Sequence, residues 1–115
     1  MSTTSNQAGL IVRRNRSGYS AAIVIDRAYT ARTVGASLHG ATRDDALIRA
    51  LFLLVSLLRR DSGTWVISIP SQAVVSQVER PDALVRPEVS LTARMIAEGK
   101  FRIRHGVLVA ARGSW

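Results

Sequence analysis

The chain has 115 residues, no cysteine, two histidines, and 16 basic against 8 acidic side chains, for a formal charge of +8. That length suits one domain able to bury a core without staples. The missing thiols exclude disulfide frameworks and thiolate metal sites, and His39 and His105 cannot make a zinc site by themselves.

Of the 16 basic residues, 15 are arginine. The planar guanidinium can bond two phosphate oxygens at once, so an excess of this kind reads as the footprint of a polyanion-binding surface. The plainer reading is codon preference in a GC-rich genome, which also favours the abundant alanine. Position along the chain has to decide between them.

Residues 1–8 are polar, with neither a basic segment nor an apolar run, and read as a flexible lead-in rather than a signal peptide. One domain is expected over 9–115. "LIVRR", residues 10 to 14, is an apolar run that turns basic, and "NRSG" after it marks a turn, which gives a first strand. "YSAAIVID" (19 to 26) and "ARTVGASLH" (31 to 39) give two more, joined by short turns into an antiparallel meander.

The period then changes. In "ATRDDALIRALFLLVSLLRRDSG", Thr42 and Asp45 form a capping box, Asp44 and Asp45 suit the positive end of a helix dipole, Arg59 and Arg60 suit the other end, and Gly63 is a stop. Leu47, Leu51, Leu54, Val55 and Leu58 share a face that Ile48 and Phe52 widen, so this helix is expected to be buried on more than one side. Its apolar run, residues 46 to 58, contains Arg49 and falls short of the roughly 20 residues of a membrane span. A soluble, cytoplasmic protein is expected.

"TWVISI" (64 to 69) reads as a buried strand with Trp65, Ile67 and Ile69 on one face. Ser71 is a candidate N-cap for a short helix in "SQAVVSQVE". "RPDALVRP" is a loop punctuated by Pro81 and Pro87, and "PEVSLTARMIAEGK" is a helix with Pro87 in its first turn and Gly99 at its end. In "FRIRHGVLVAAR", Phe101 and Ile103 face away from Arg102 and Arg104.

This order of elements resembles the ribonuclease H-like fold family, an α/β fold with a mixed sheet. "SGYSAAIVI" looks like its second strand after a glycine-rich turn, "TRDDALIRALFLLVSLL" like its central helix, "WVISIPSQAVVSQV" like its fourth strand and the helix after it, and "AEGKFRIRHG" like its last helix and fifth strand. The match spans about residues 9 to 106. The family's chemistry is two-metal phosphodiester hydrolysis, in which clustered carboxylates hold magnesium ions about 4 Å apart. Carried over by position, the first-strand aspartate falls on Arg13 or Arg14, the helix glutamate on Ala46 and the fourth-strand aspartate on Pro70. The helix bearing the family's last acid has no counterpart.

The resemblance therefore implies a non-catalytic relative with no metal or other cofactor. A groove that lost acids and gained arginine holds a phosphate backbone rather than cutting it, and RNA or an RNA-containing duplex is favoured by family analogy. Arg13, Arg14 and Arg16, near the old site, and Arg102 and Arg104, on one face of the fifth strand, are the candidate nucleic-acid contacts. Their plain rivals are the charged face of an edge strand for Arg102 and Arg104, and ordinary surface charge for Arg13 or Arg14. His105 reads as a turn residue, Ser71 as a cap, Arg49 as a snorkelling side chain, Trp65 as core and Trp115 as a candidate stacking residue. Small size and arginine content fit an accessory protein of a virus, phage or mobile element.

A second reading belongs to another class. Without the terminal helix, one sheet face around Val24 and Val66 is uncovered unless "VLVAARGSW" folds back as a sixth strand or another subunit covers it. That would make the chain a structural or inhibitory protein, homodimeric or bound to a protein partner.

Overall fold

A computed structural model describes residues 6–27, 30–40, 42–60, 63–80 and 86–108, with the backbone alone described for 26, 27 and 30–39. The lead-in residues 1–5, Pro81, the tail 109–115 and Trp115 lie outside the described residues.

Three strands form first: β1 (Asn6–Asn15), β2 (Gly18–Arg27) and β3 (Thr30–Gly40). The β1–β2 register closes at Asn15 opposite Gly18, so Arg16 and Ser17 alone make the turn. The Ser17 N–H donates to Asn15 Oδ1 at 3.0 Å, the side-chain bond through which Asn favours turns. Helix α1 (Arg43–Leu58) then crosses to β4 (Trp65–Ile69), and α2 (Gln72–Glu79) and α3 (Pro87–Met95) cross to β5 (Phe101–His105). The sheet order is β3-β2-β1-β4-β5, antiparallel through the meander and parallel from β1 to β4 and from β4 to β5. This is the mixed α/β arrangement expected from the sequence.

The caps are local and sit where the sequence places them. Thr42 Oγ1 accepts the Asp45 N–H at 3.1 Å, Ser71 Oγ accepts the Val74 N–H at 3.3 Å, and Pro87 opens α3. The far end of α1 differs from expectation. It stops at Leu58, and the Arg59 guanidinium reaches Glu98 Oε1 at 2.8 Å, a partner on the turn that follows α3.

One boundary also moves. β1 begins at Asn6, inside the expected lead-in, because residues 6 to 9 pair in parallel with residues 65 to 68, which leaves Ala8 fully buried. The polar Asn6 and Gln7 carry no strand pattern; a distant partner recruits them.

One face of the sheet carries the core. Ala8, Leu10, Ile23, Trp65, Ile67, Ile69 and Phe101 pack there with Leu47, Leu51, Leu54 and Val55 of α1, Val74 and Val78 of α2, and Val89 and Met95 of α3. Helix α1 touches strands and both other helices, as its wide apolar stripe requires. On the opposite face a smaller cluster joins Val24, Leu108 and Ile11. Leu108 folds back over β1 and is itself buried, so the chain covers the centre of this face, while Val66 stays half-buried.

Candidate nucleic-acid interface

The carboxyl ends of β1 and β4 open beside the first turn of α1. Pairing of Gly9 with Ser68 fixes the register, and the same offset carried two residues on brings Ile11 level with Pro70. Arg13 and Arg14 lie two and three residues beyond that point, at the hairpin end of β1, opposite Ser20 and Tyr19. Ala46 is completely buried beneath the end of β3. The register thus sets Ile11, and neither Arg13 nor Arg14, beside Pro70, and the arginine pair lies further along β1 toward the hairpin.

Two carboxylates do stand at this end, and both are engaged. Ser71 Oγ donates to Asp44 Oδ1 at 2.8 Å, and Asp45 pairs with Arg86 and with Arg49, the latter at 3.6 Å. Thr42, Ser71 and Arg86 are the N-caps of α1, α2 and α3, so three helix starts converge on these two aspartates. Three positive dipole ends there explain the two negative charges. Sequence reading gave Asp44 a local dipole role; its tie to Ser71, 27 residues away, has no signal in the chain. Removing that tie has a measurable cost. Ser71→Ala deletes the α2 cap and a charge-assisted bond together and is expected to lower stability by about 2 kcal/mol in denaturant titration.

These residues do not fit a pair of divalent ions. Asp45 is shared between two guanidinium groups, Asp44 holds a hydroxyl, and among the described residues no three His, Asp or Glu side chains gather in metal-binding proximity.

The five candidate arginines are all exposed, but the sheet distributes them. Side chains alternate across a strand, so Arg13 shares the face of Gly9 and Ile11, while Arg14 shares the helix side of Leu10 and Val12. Arg16 sits in the turn. Arg102 and Arg104 project from β5 on Arg13's face, opposite Val66 and Ser68. Leu108 lies over Gly9, whose Cβ, if it had one, would meet the leucine Cβ at 2.8 Å. The structure therefore brings Arg102 and Arg104 together and groups Arg13, Arg14 and Arg16 at the hairpin, with Leu108 between the groups on the shared face.

The other singled-out residues are structural. Trp65 is buried in the core, Ser71 is a cap, Arg49 is a surface partner of Asp45, and His105 closes β5 opposite Ile69. The His39 side chain lies outside the described residues. No described helix is long and apolar enough to cross a membrane.

No protein-family model matches the sequence. No curated protein matches it either. Solved structures do. RNase H1 isolated from compost by a metagenomic approach superposes with a TM-score of 0.72 at 14% identity, over 97% of this chain and 91% of that one. RNase H1 from the halophilic archaeon Halobacterium salinarum gives 0.63 at 12%, over 94% and 89%. The N-terminal RNase H domain of rv2228c from Mycobacterium tuberculosis gives 0.59 at 16%, over 95% and 92%. Over nearly its whole length, at low identity to each of them, this chain adopts the ribonuclease H-like fold.

Proposed function

We propose that this is a non-catalytic ribonuclease H-like protein that binds nucleic acid along the phosphate backbone through arginine, with RNA or an RNA-containing duplex as the favoured ligand. The three solved structures described above are RNases H, so a nucleic-acid ligand is the expectation that likeness brings. The observation that carries the reading is the state of the carboxylates at the sheet end. Asp44 and Asp45 are bound to Ser71, Arg86 and Arg49, and Ala46 and Pro70 flank them with no side-chain oxygen to offer an ion. Guanidinium groups at that end would repel magnesium and attract phosphate.

Arg13, Arg14, Arg16, Arg102 and Arg104 contact backbone and not base edges, so binding is insensitive to sequence and steeply sensitive to salt. The test is a mobility-shift series with RNA, DNA and hybrid oligonucleotides at rising salt, run beside incubation with labelled hybrid in magnesium or manganese. Retardation that fades with salt and intact substrate are expected. Metal-dependent scission by the pure protein would overturn the non-catalytic reading, and no retardation at micromolar protein would overturn the binding reading.

A further inference from the structure

Arg102 and Arg104 alternate along the last edge strand and share a direction, with Phe101 and Ile103 turned to the core, and Lys100 ends the helical turn immediately before them. Arg102 and Arg104 are exposed and Lys100 is half-buried. Two residues of strand advance about 7 Å, close to the advance of one nucleotide in an extended strand. The Lys100 ammonium is held in place by donating to the Arg59 carbonyl at 2.7 Å, which leaves two of its three donors for a ligand.

Beside this row lies a cavity of about 440 Å³ between the starts of β4 and β5, lined by Thr64, Val66, Gly99, Lys100 and Arg102. Its size falls within the range of small-molecule pockets, roughly 300 to 1,000 Å³. Past the other end of the row Val107 is 42% exposed and offers an apolar contact. The nearby Glu98 is already paired with Arg59. The register puts Asp26 three strands away, opposite Gln7, which in turn pairs with Val66 beside Arg102.

We propose that Lys100, Arg102 and Arg104 form a cationic ladder that seats the backbone of a single-stranded nucleic acid along β5, with one unstacked base entering the cavity between Lys100 and Arg102. This rests on the nucleic-acid reading above and narrows it to a strand, a face and a ligand form. A duplex keeps its bases stacked and paired, out of reach of such a cavity, whereas a single strand presents them. Leu108, standing over Gly9, separates the ladder from the hairpin arginines, so the two groups are separable by mutation.

The experiment is fluorescence anisotropy of the full chain with a labelled 12-nucleotide single-stranded RNA, the matching single-stranded DNA, and an RNA duplex. Single strands bind at least about ten-fold more tightly than duplex, with a log–log salt slope of about −2, as three phosphate contacts on a single strand give. Arg102→Glu with Arg104→Glu lowers single-strand affinity more than about 30-fold and flattens the slope to about −0.7 or less in magnitude. Thr64→Phe, at an exposed position on the cavity mouth, lowers it about five-fold without a change of charge, as loss of a base contact does. Arg14→Glu with Arg16→Glu lowers it by less than about ten-fold, because those residues lie off the ladder and contribute through the hairpin end alone.

Duplex preference overturns the ladder. So does unchanged single-strand binding in the Arg102/Arg104 variant with loss in the Arg14/Arg16 variant, which leaves the broader reading standing. No binding of any of the three probes removes both.

Discussion

Reversing Arg13, Arg14, Arg102 and Arg104 to glutamate is expected to abolish retention of every oligonucleotide, a loss of at least about 100-fold near physiological salt, while the protein stays folded. Four reversals of two charges each bring the net charge from +8 to zero, so both the local contacts and the long-range attraction disappear. All four side chains are exposed, and none takes part in the core. Exposed charges contribute roughly 0 to 1 kcal/mol each, so melting should fall by only a few degrees. Mobility shift and circular dichroism on the same preparation check the two halves. Undiminished retention in a folded variant would assign the binding to other basic residues and remove these from the interface.

Gly40→Ala should instead attack the fold. Gly40 ends β3 where the strand meets the first turn of α1, and a Cβ there would run into the Ala46 nitrogen and lie 2.9 Å from its Cα. Those atoms are the helix backbone of the fully buried Ala46 and have no rotamer to change. Overpacking costs about 1 to 3 kcal/mol where side chains can adjust, and the upper end or beyond is expected here. That corresponds to a melting temperature lower by about 10 °C or more. Gly9→Ala is the internal comparison, since its clash is with Leu108 Cβ at 2.8 Å, and relieving it displaces the segment after β5 rather than a helix. It should cost less than half as much, and equal melting of Gly40→Ala and the parent would show that the strand–helix contact is looser than described.

What could be read from the chain was what is encoded locally. Thr42 with Asp45, Ser71 before its helix, Pro87 at a first turn, and the alternation of Phe101 and Ile103 against Arg102 and Arg104 all act within a few residues, and each reappears in the structure. What could not be read depends on partners far along the chain. Asn6 and Gln7 are strand residues only because β4 lies beside them. Arg59 spends its charge on Glu98, 39 residues away, rather than on its own helix end. Lys100 ends a helical segment as its sequence suggests, but its bond to the Arg59 carbonyl, 41 residues away, has no local signal. The candidate arginines were legible as exposed charge, but their division by Leu108 was not, because a single leucine after a turn gives no hint of which surface it will cover.

The return of Leu108 onto Gly9 has an architectural consequence. The first described strand runs through the middle of the sheet, and the last described side chain rests on that same strand, three residues from Asn6. Entry and exit of the described backbone are thus neighbours, and a short linker could close it into a ring that is reopened at the Arg16–Ser17 turn without cutting any strand. Such a permutant would place its new ends beside the hairpin arginines, with β4 between their strand and the β5 ladder.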